Sequence, residues 1–199
     1  MTHSSSVYLA IEGIDGTGKT FVAKHIAEKF GFSIIQEPSS GQIGKLISES
    51  VWDPTTDFFL FMADRTAILK DQKDKGNVVS DRSLYSSYAY QGYYLKNSFG
   101  SLDAYFDFFM NTARLLPILP THVFLLHCDV DVALGRIKKR GPASRFERRE
   151  YLEGVQTLYF SLKGKLDNIV LIDSNGTLEE LYREVDGQVT KLLSQVHLP

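Results

Sequence analysis

The sequence has almost no cysteine, no long apolar run and no strong net charge. Its 199 residues include one cysteine, Cys128, so no disulfide can form within the chain and we expect a reducing compartment. Apolar runs such as residues 58–63 are far shorter than the ~20 residues that a membrane-spanning helix needs. Residues 1–6 are polar and contain no signal-peptide core. Together these features predict a cytoplasmic protein without membrane contact.

The charge balance argues against a further class of protein. The chain has 22 Lys and Arg against 24 Asp and Glu, a net charge of −2, whereas bulk nucleic-acid binders carry a clear basic excess. We therefore expect no nucleic-acid partner. The five histidines show no spacing typical of metal ligands. With 43% hydrophobic residues, residues 1–199 are typical of a single globular domain with a real core.

Short apolar runs alternate with longer helical patterns along the chain. The runs lack polar alternation, which is typical of strands covered on both faces by helices. Strands separated by helices imply right-handed crossovers and a mostly parallel sheet, with ligands at the carboxyl ends of its strands. The predicted strands are 7–12, 32–35, 78–80, 123–128 and 169–172, and the predicted helices are 19–30, 57–75, 102–116, 131–140, 147–165 and 177–195.

A phosphate-binding motif follows the first predicted strand. Residues 13–20 read GIDGTGKT and match G-x-x-x-x-G-K-[ST] in full. The glycines let backbone N–H groups turn toward phosphate oxygens, and the following helix adds its positive N-terminal dipole. Lys19 can neutralise the β- and γ-phosphates, and Thr20 can bind Mg²⁺. The motif predicts the three-layer α/β/α fold of P-loop NTPases. The predicted nucleoside triphosphate site is formed by Gly13, Ile14, Asp15, Gly16, Thr17, Gly18, Lys19 and Thr20.

The end of the third predicted strand favours a phosphotransferase. No Asn-Lys-x-Asp motif, which GTPases use to read guanine, occurs in the sequence. Instead, Asp81 ends the strand and Arg82 follows it. This pair would hold a carboxylate near Mg²⁺, through water, and a guanidinium near a second phosphate.

Residues 136–150 form a basic segment with seven basic and two acidic residues. Gly141-Pro142 interrupts the helical pattern, which predicts a small hinged lid between two helical arms. Phosphoryl transfer requires positive charge around the transferred group and exclusion of water, and an arginine-rich lid supplies both. A solvated helical face or a nucleic-acid patch is the alternative.

Residues 81–92, DRSLYSSYAYQG, resemble the thymidylate kinase pattern D-R-Y-x-x-S-x-x-A-Y-Q-G, with Ser83 where tyrosine is common. Further similarities in order and spacing lie at residues 12–16, 37–38, 61–65, 145–147 and 159. The resemblance implies ATP-dependent phosphorylation of dTMP to dTDP with Mg²⁺. It also implies a homodimer, for which the apolar helical faces of residues 57–69 and 102–116 are suitable.

The resemblance also implies roles for individual residues. Phe61 would stack on thymine, Arg65 would donate to a thymine carbonyl, and Ser87 would read the N3 edge. Arg82 would hold the monophosphate, and Tyr90 would crowd the 2′ position and favour deoxyribose. The dTMP-binding residues implied in this way are Asp15, Glu37, Phe61, Arg65, Arg82, Ser86, Ser87, Tyr90, Gln91 and Tyr159.

Gly16 stands where eukaryotic members of that family carry an arginine, so the resemblance assigns catalysis to the lid arginines, as in the bacterial type. The implied catalytic residues are Lys19, Asp15, Arg82, Arg140 and Arg145. Arg136 would join the ATP site, and the magnesium site would consist of Thr20 with Asp81 acting through water.

Three alternatives remain open at this point. A deoxynucleoside kinase, or a broader nucleoside monophosphate kinase, would have the same fold. A P-loop ATPase that binds nucleic acid through residues 136–150 belongs to a different class, as does a non-enzymatic nucleotide sensor.

Overall fold

The computed structural model describes residues 6–70, 72, 76–140 and 148–196, without the side chains of residues 140 and 196. Its sheet has five parallel strands in the order β2-β3-β1-β4-β5. The chain moves from β1 outward to the edge strand β2, returns to β3 between these two, and then crosses to β4 on the other side of β1. The strand bounds are β1 Tyr8–Glu12, β2 Ser33–Gln36, β3 Val78–Asp81, β4 His122–His127 and β5 Ile169–Asp173.

Helices cover both faces of this sheet, as strands without polar alternation predict. Leu9 and Ile11 of β1 pack with the first and last helices, whereas Ala10 belongs to a larger apolar cluster under the helices of the opposite face. The helix bounds are α1 Lys19–Phe30, α2 Gln42–Glu49, α3 Pro54–Leu69, α4 Leu84–Tyr90, α5 Gly92–Leu95, α6 Leu102–Ala113, α7 Val130–Arg140, α8 Arg149–Lys163 and α9 Leu178–Val196, with a 3₁₀ turn at Lys96–Phe99.

The predicted α/β/α fold is confirmed: all five predicted strands form and pair in parallel. The prediction for 57–75 was wrong at both ends. The helix begins at Pro54 because the Asp53 carboxylate accepts hydrogen bonds from Thr55 N and Thr56 N, and it ends at Leu69. Helices α2, α4 and α5, of eight, seven and four residues, were not predicted because they are shorter than the stretch of about 11 or more residues over which a helical period is read.

The predicted lid, residues 136–150, includes the end of α7, the start of α8 and the residues between them. Its hinge at Gly141-Pro142 falls outside the described residues, so the hinge stays a prediction. Cys128, just after β4, is buried. Within the described ranges, no helix combines the length and hydrophobicity needed to cross a bilayer.

Candidate active site

A cleft of about 760 Å³ lies at the carboxyl edge of the sheet, where ligands bind in folds of this kind. Residues from five separate parts of the chain line it. They include the P-loop residues 15–20, Gln36 and Glu37 at the end of β2, Asp81 and Arg82 at the end of β3, Arg136 of α7, and residues 176–178 at the start of α9. The structure therefore brings the residues predicted for the two phosphate sites to one cavity.

The P-loop is held in a conformation that requires glycine. Gly13 and Gly16 have φ angles of 139° and 86°. A Cβ atom on Gly13 would lie 2.2 Å from the carbonyl oxygen of Leu126, and one on Gly16 would lie 2.5 Å from that of Ala133. Substitution at either position would push the loop away from β4 and α7. The loop backbone can turn inward only because both positions lack a side chain.

Lys19 is the first residue of α1, and its side chain points back into the loop. Its Nζ donates to the Ile14 carbonyl oxygen at 2.9 Å, and the residue is buried. Burial, with the nearby Arg82 guanidinium as the next cause, lowers the pKa of Lys19 to about 8. A phosphate anion in the loop would raise this pKa again. The charged form of Lys19 is therefore favoured when an anionic ligand binds in the loop.

Thr20 and Asp81 connect the P-loop helix to the end of β3. The Thr20 hydroxyl donates to Asp81 Oδ2 at 2.6 Å, and Asp81 is buried. A hydroxyl and a carboxylate are the oxygen ligands that Mg²⁺ prefers, usually together with water and substrate phosphates. The donor set therefore fits the predicted magnesium site.

Arg82 has a strained backbone and a firmly held side chain. Its φ is 76°, in the left-handed region that non-glycine residues seldom adopt. The guanidinium forms an ion pair with Asp15, donates to Ser86 Oγ at 3.3 Å and lies 4.8 Å from the centre of the Tyr90 ring. The Tyr90 hydroxyl donates to Asp15 Oδ2 at 3.1 Å. These four predicted residues thus form one cluster beside the P-loop.

Arg65 lies at the centre of a second, deeper cluster. Its side chain is 1% exposed, and its Nε donates to Glu37 Oε2 at 2.7 Å while Nη1 donates to Ser87 Oγ at 3.1 Å. Its carbon Cζ lies 5.7 Å from the centre of the half-buried Phe61 ring. Burial raises the pKa of Glu37 to about 7, and Arg65 opposes this shift.

Two polar atoms of this second cluster lack hydrogen-bond partners. Arg65 Nη2 and Glu37 Oε1 are buried, and neither has a partner among the described atoms. A buried donor without a partner costs about 1–3 kcal/mol. A planar ligand that places a carbonyl oxygen against Arg65 Nη2 would recover that cost.

Gln91 and Tyr159 are the two predicted acceptor residues not yet placed. Gln91 and Tyr90 border a smaller cavity of about 310 Å³ between α3 and α8. Tyr159 lines neither cavity; its hydroxyl donates to Glu12 Oε2 at 2.8 Å and lies 3.0 Å from Ser86 Oγ. Burial, and next the charge of Glu12, raise the pKa of Tyr159.

Arg136 connects the P-loop to the turn before α9. Its guanidinium donates to the carbonyl oxygens of Ser174 at 2.7 Å and Gly176 at 2.9 Å, with longer contacts to those of Gly16 and Asn175. The side chain therefore fixes the wall of the cleft. Its predicted contact with ATP stays a prediction.

Residues 11–185 match the sequence profile of the thymidylate kinase family. The chain belongs to this family. It is 34% identical to the probable thymidylate kinase of Methanocaldococcus jannaschii, over 94% of this chain and 97% of that protein. It is 33% identical to the probable thymidylate kinase of Picrophilus torridus, over 92% and 94% of the two chains. For the probable thymidylate kinase of Archaeoglobus fulgidus the identity is 33%, over 94% and 96%.

Membership of the thymidylate kinase family makes the chain a phosphotransferase that uses ATP as donor. The side chains of two predicted catalytic residues lie outside the described part of the chain. Arg145 lies outside the described residues, and of Arg140 only the backbone, at the end of α7, is described. Their contact with the transferred phosphoryl group stays a prediction.

Sequence reasoning missed one prominent residue of this thymidylate kinase fold. Glu12, the last residue of β1, is 0% exposed and accepts five hydrogen bonds from described residues. In the sequence, Glu12 stands out only as the residue that precedes the P-loop. A carboxylate at the end of an otherwise apolar strand was the available signal, because such a group is rarely buried without strong partners.

Proposed function

We propose that this chain transfers the γ-phosphoryl group of ATP to dTMP, giving ADP and dTDP, as a single kinase domain that uses Mg²⁺. The observation that carries the proposal is the shared cleft. Lys19 and Arg82 open into the same cavity, and Glu37, the partner of Arg65, is in its wall. A donor phosphate, an acceptor phosphate and a base could therefore be bound side by side.

On the donor side, the triphosphate would bind within the P-loop. Backbone N–H groups and the N-terminus of α1 would face its oxygens. Lys19 would balance the negative charge that builds up on the leaving ADP oxygen. Thr20 and Asp81 would hold Mg²⁺, which supplies charge neutralisation between the phosphates when bound.

On the acceptor side, Arg82 would hold the monophosphate through its planar fork. An oxygen of that monophosphate attacks the γ-phosphorus while the bond to the ADP oxygen breaks, so no covalent intermediate with the protein is needed. Catalysis would come from positioning and charge, which is the usual situation in phosphoryl transfer. Asp15, held by Tyr90 and Arg82, would face the sugar.

Thymine would be read by the deeper cluster. Arg65 Nη2 has an unused N–H for a base carbonyl, Ser87 offers a hydroxyl beside it, and Phe61 offers a ring face. A cytosine in the same pose would present an amino group to the arginine donor, which is repulsive. The cluster therefore supports a preference for thymine over cytosine.

The proposed homodimer and cytoplasmic location rest on separate features. Phe59 of α3 and Leu115 just beyond α6 are exposed large apolar side chains on the helical faces predicted for pairing. The buried thiol of Cys128 and the absence of any other cysteine fit a reducing compartment. Analytical ultracentrifugation of the wild-type protein and of Phe59→Asp would test the dimer.

A parallel acceptor assay tests the proposed activity. Purified protein with ATP and Mg²⁺ is given dTMP, dUMP, dCMP, dAMP or thymidine, and ADP release is measured. We expect dTMP to give the highest kcat/KM. Thymidine as the better acceptor would indicate a deoxynucleoside kinase, and equal rates for all monophosphates a broader enzyme. ATP hydrolysis that requires added DNA would favour the nucleic-acid-dependent ATPase.

A further inference from the structure

Glu12 is a buried carboxylate that contacts neither cavity, yet its hydrogen bonds join three elements around Arg82. Its Oε1 accepts from Ser83 N at 2.8 Å, Ser83 Oγ at 2.7 Å and Ser86 N at 3.1 Å. Its Oε2 accepts from Ser86 Oγ at 2.7 Å and from Tyr159 OH at 2.8 Å. One side chain of β1 thus holds the beginning of α4 and the middle of α8.

The first consequence concerns the backbone of Arg82. Its own N–H donates to the Ile11 carbonyl oxygen at 3.0 Å, and the next N–H, of Ser83, donates to Glu12. Both peptide groups that flank Arg82 are therefore attached to the end of β1. A left-handed conformation of a non-glycine residue persists only where the surroundings hold it, and Glu12 is one of the groups that do so.

The second consequence concerns the Arg82 side chain. The Ser86 hydroxyl donates its one hydrogen to Glu12 Oε2, since a carboxylate oxygen accepts. The lone pairs of Ser86 Oγ are then free to accept from Arg82 Nη1, 3.3 Å away. Glu12 thereby keeps the Ser86 hydrogen away from the guanidinium, which can only donate.

We propose that Glu12 is a positioning residue for the acceptor phosphate, acting through Ser83 and Ser86 on the backbone and the guanidinium of Arg82. The proposal rests on the proposed function, because it assumes that Arg82 binds the dTMP phosphate. Since Tyr159 belongs to α8, the helix that follows the predicted lid, the same carboxylate also links that helix to the acceptor site. Ser83, which replaces the tyrosine common in the family, contributes two of the five hydrogen bonds.

The informative substitution is Glu12→Gln, which keeps the shape and removes the charge. The amide oxygen has to face the N–H groups of Ser83 and Ser86, because these cannot turn away. The amide nitrogen then faces Ser86 Oγ and Tyr159 OH and donates where an acceptor is needed. The Ser86 hydroxyl can then no longer donate its hydrogen to residue 12. The lone pairs of Ser86 Oγ are therefore no longer kept directed toward Arg82 Nη1.

Calorimetric binding of dTMP and of thymidine separates positioning from general structural damage. Only dTMP carries the phosphate, so we expect Glu12→Gln to weaken dTMP binding at least tenfold and thymidine binding less than twofold. In turnover assays, KM for dTMP should rise at least tenfold and KM for ATP less than twofold. If Glu12 acted only as a nearby negative charge, its removal would strengthen dTMP binding, and that result would overturn the proposal.

A second variant keeps the charge and guards against misfolding. Tyr159→Phe removes one donor to Glu12, and we expect a three- to tenfold loss for dTMP with thymidine unchanged. Equal losses for both ligands would show that Tyr159 contacts the nucleoside and would contradict the proposal. The matched control is Tyr105→Phe, which removes a buried hydroxyl that donates to the Tyr88 carbonyl oxygen at 3.2 Å and should change neither ligand.

Binding and turnover measurements on the wild-type protein separate a failure of the proposed function from a failure of the proposed role of Glu12. If it binds neither ligand, the proposed function is wrong and this inference fails with it. If it binds and phosphorylates dTMP while both variants keep the wild-type ratio of dTMP to thymidine affinity, only the role of Glu12 is wrong.

Discussion

Replacing Arg65 with lysine tests how the base is recognised. Arg65→Lys keeps the positive charge but replaces a planar fork by a single ammonium group. That group can replace Nε opposite Glu37, where the buried carboxylate needs a cation. It cannot also occupy the positions of Nη1, beside Ser87, and of Nη2, which lacks a partner among the described atoms. The variant should therefore remain folded and lose the donor to the base.

The size of the effect follows from one charged hydrogen bond. Such a bond contributes about 1.5–3 kcal/mol, and each 1.4 kcal/mol corresponds to about tenfold. We expect the KM for dTMP to rise about 10- to 100-fold, with the KM for ATP unchanged. The preference for dTMP over dCMP should fall by a similar factor, because the repulsion between Arg65 and a cytosine amino group is also lost.

Steady-state kinetics with dTMP and dCMP, supported by thermal unfolding, measures this effect. Arg114→Lys is the matched control, since Arg114 is exposed at the end of α6 and should have wild-type constants. A folded Arg65→Lys variant with a dTMP KM within twofold of wild type would refute the reasoning.

Three further predictions concern the phosphate and sugar sites. Lys19→Ala should lower kcat at least 100-fold and change dTMP affinity less than threefold, measured by turnover and by dTMP binding, because Lys19 lies in the donor loop. The pKa of Lys19 is lowered to about 8, and only the charged amine attracts phosphate. ADP binding, measured by calorimetry, should therefore weaken from pH 8 upward. An ADP affinity that stays constant to pH 9.5 would contradict this. Tyr90→Ala should raise the relative kcat/KM of the ribonucleotide counterpart of dTMP about tenfold or more, and an unchanged ratio would remove Tyr90 from sugar selection.

Features that depend on neighbouring residues could be predicted from the sequence. The P-loop is one contiguous segment, and its glycines and Lys19 indicate phosphate binding directly from the sequence. Asp81 ends a buried strand and Arg82 follows it, so their place at the ligand-binding edge follows from topology. The five strands were predicted nearly to the residue because strands buried on both faces form continuous apolar runs.

Features that depend on distant packing could not be predicted. Glu12 meets Ser83 and Tyr159 across 71 and 147 positions of the chain, and only the fold brings them together. The ion pair of Arg65 with Glu37 likewise joins α3 to the loop after β2. The resemblance implied that Arg65, Glu37 and Tyr159 bind the same ligand. It did not indicate which residues contact each other, and it assigned no role to Glu12.

In the proposed reaction, the phosphoryl group passes directly from ATP to the phosphate of dTMP in one cleft. The most direct measurement is a single-turnover reaction of the protein with ATP labelled at the γ-phosphate, dTMP and Mg²⁺, with separation of the labelled products. We expect the label to appear in the β-phosphate of dTDP at the rate at which ATP is consumed. Label found mainly in inorganic phosphate, or left in ATP while the protein binds both nucleotides, would contradict it.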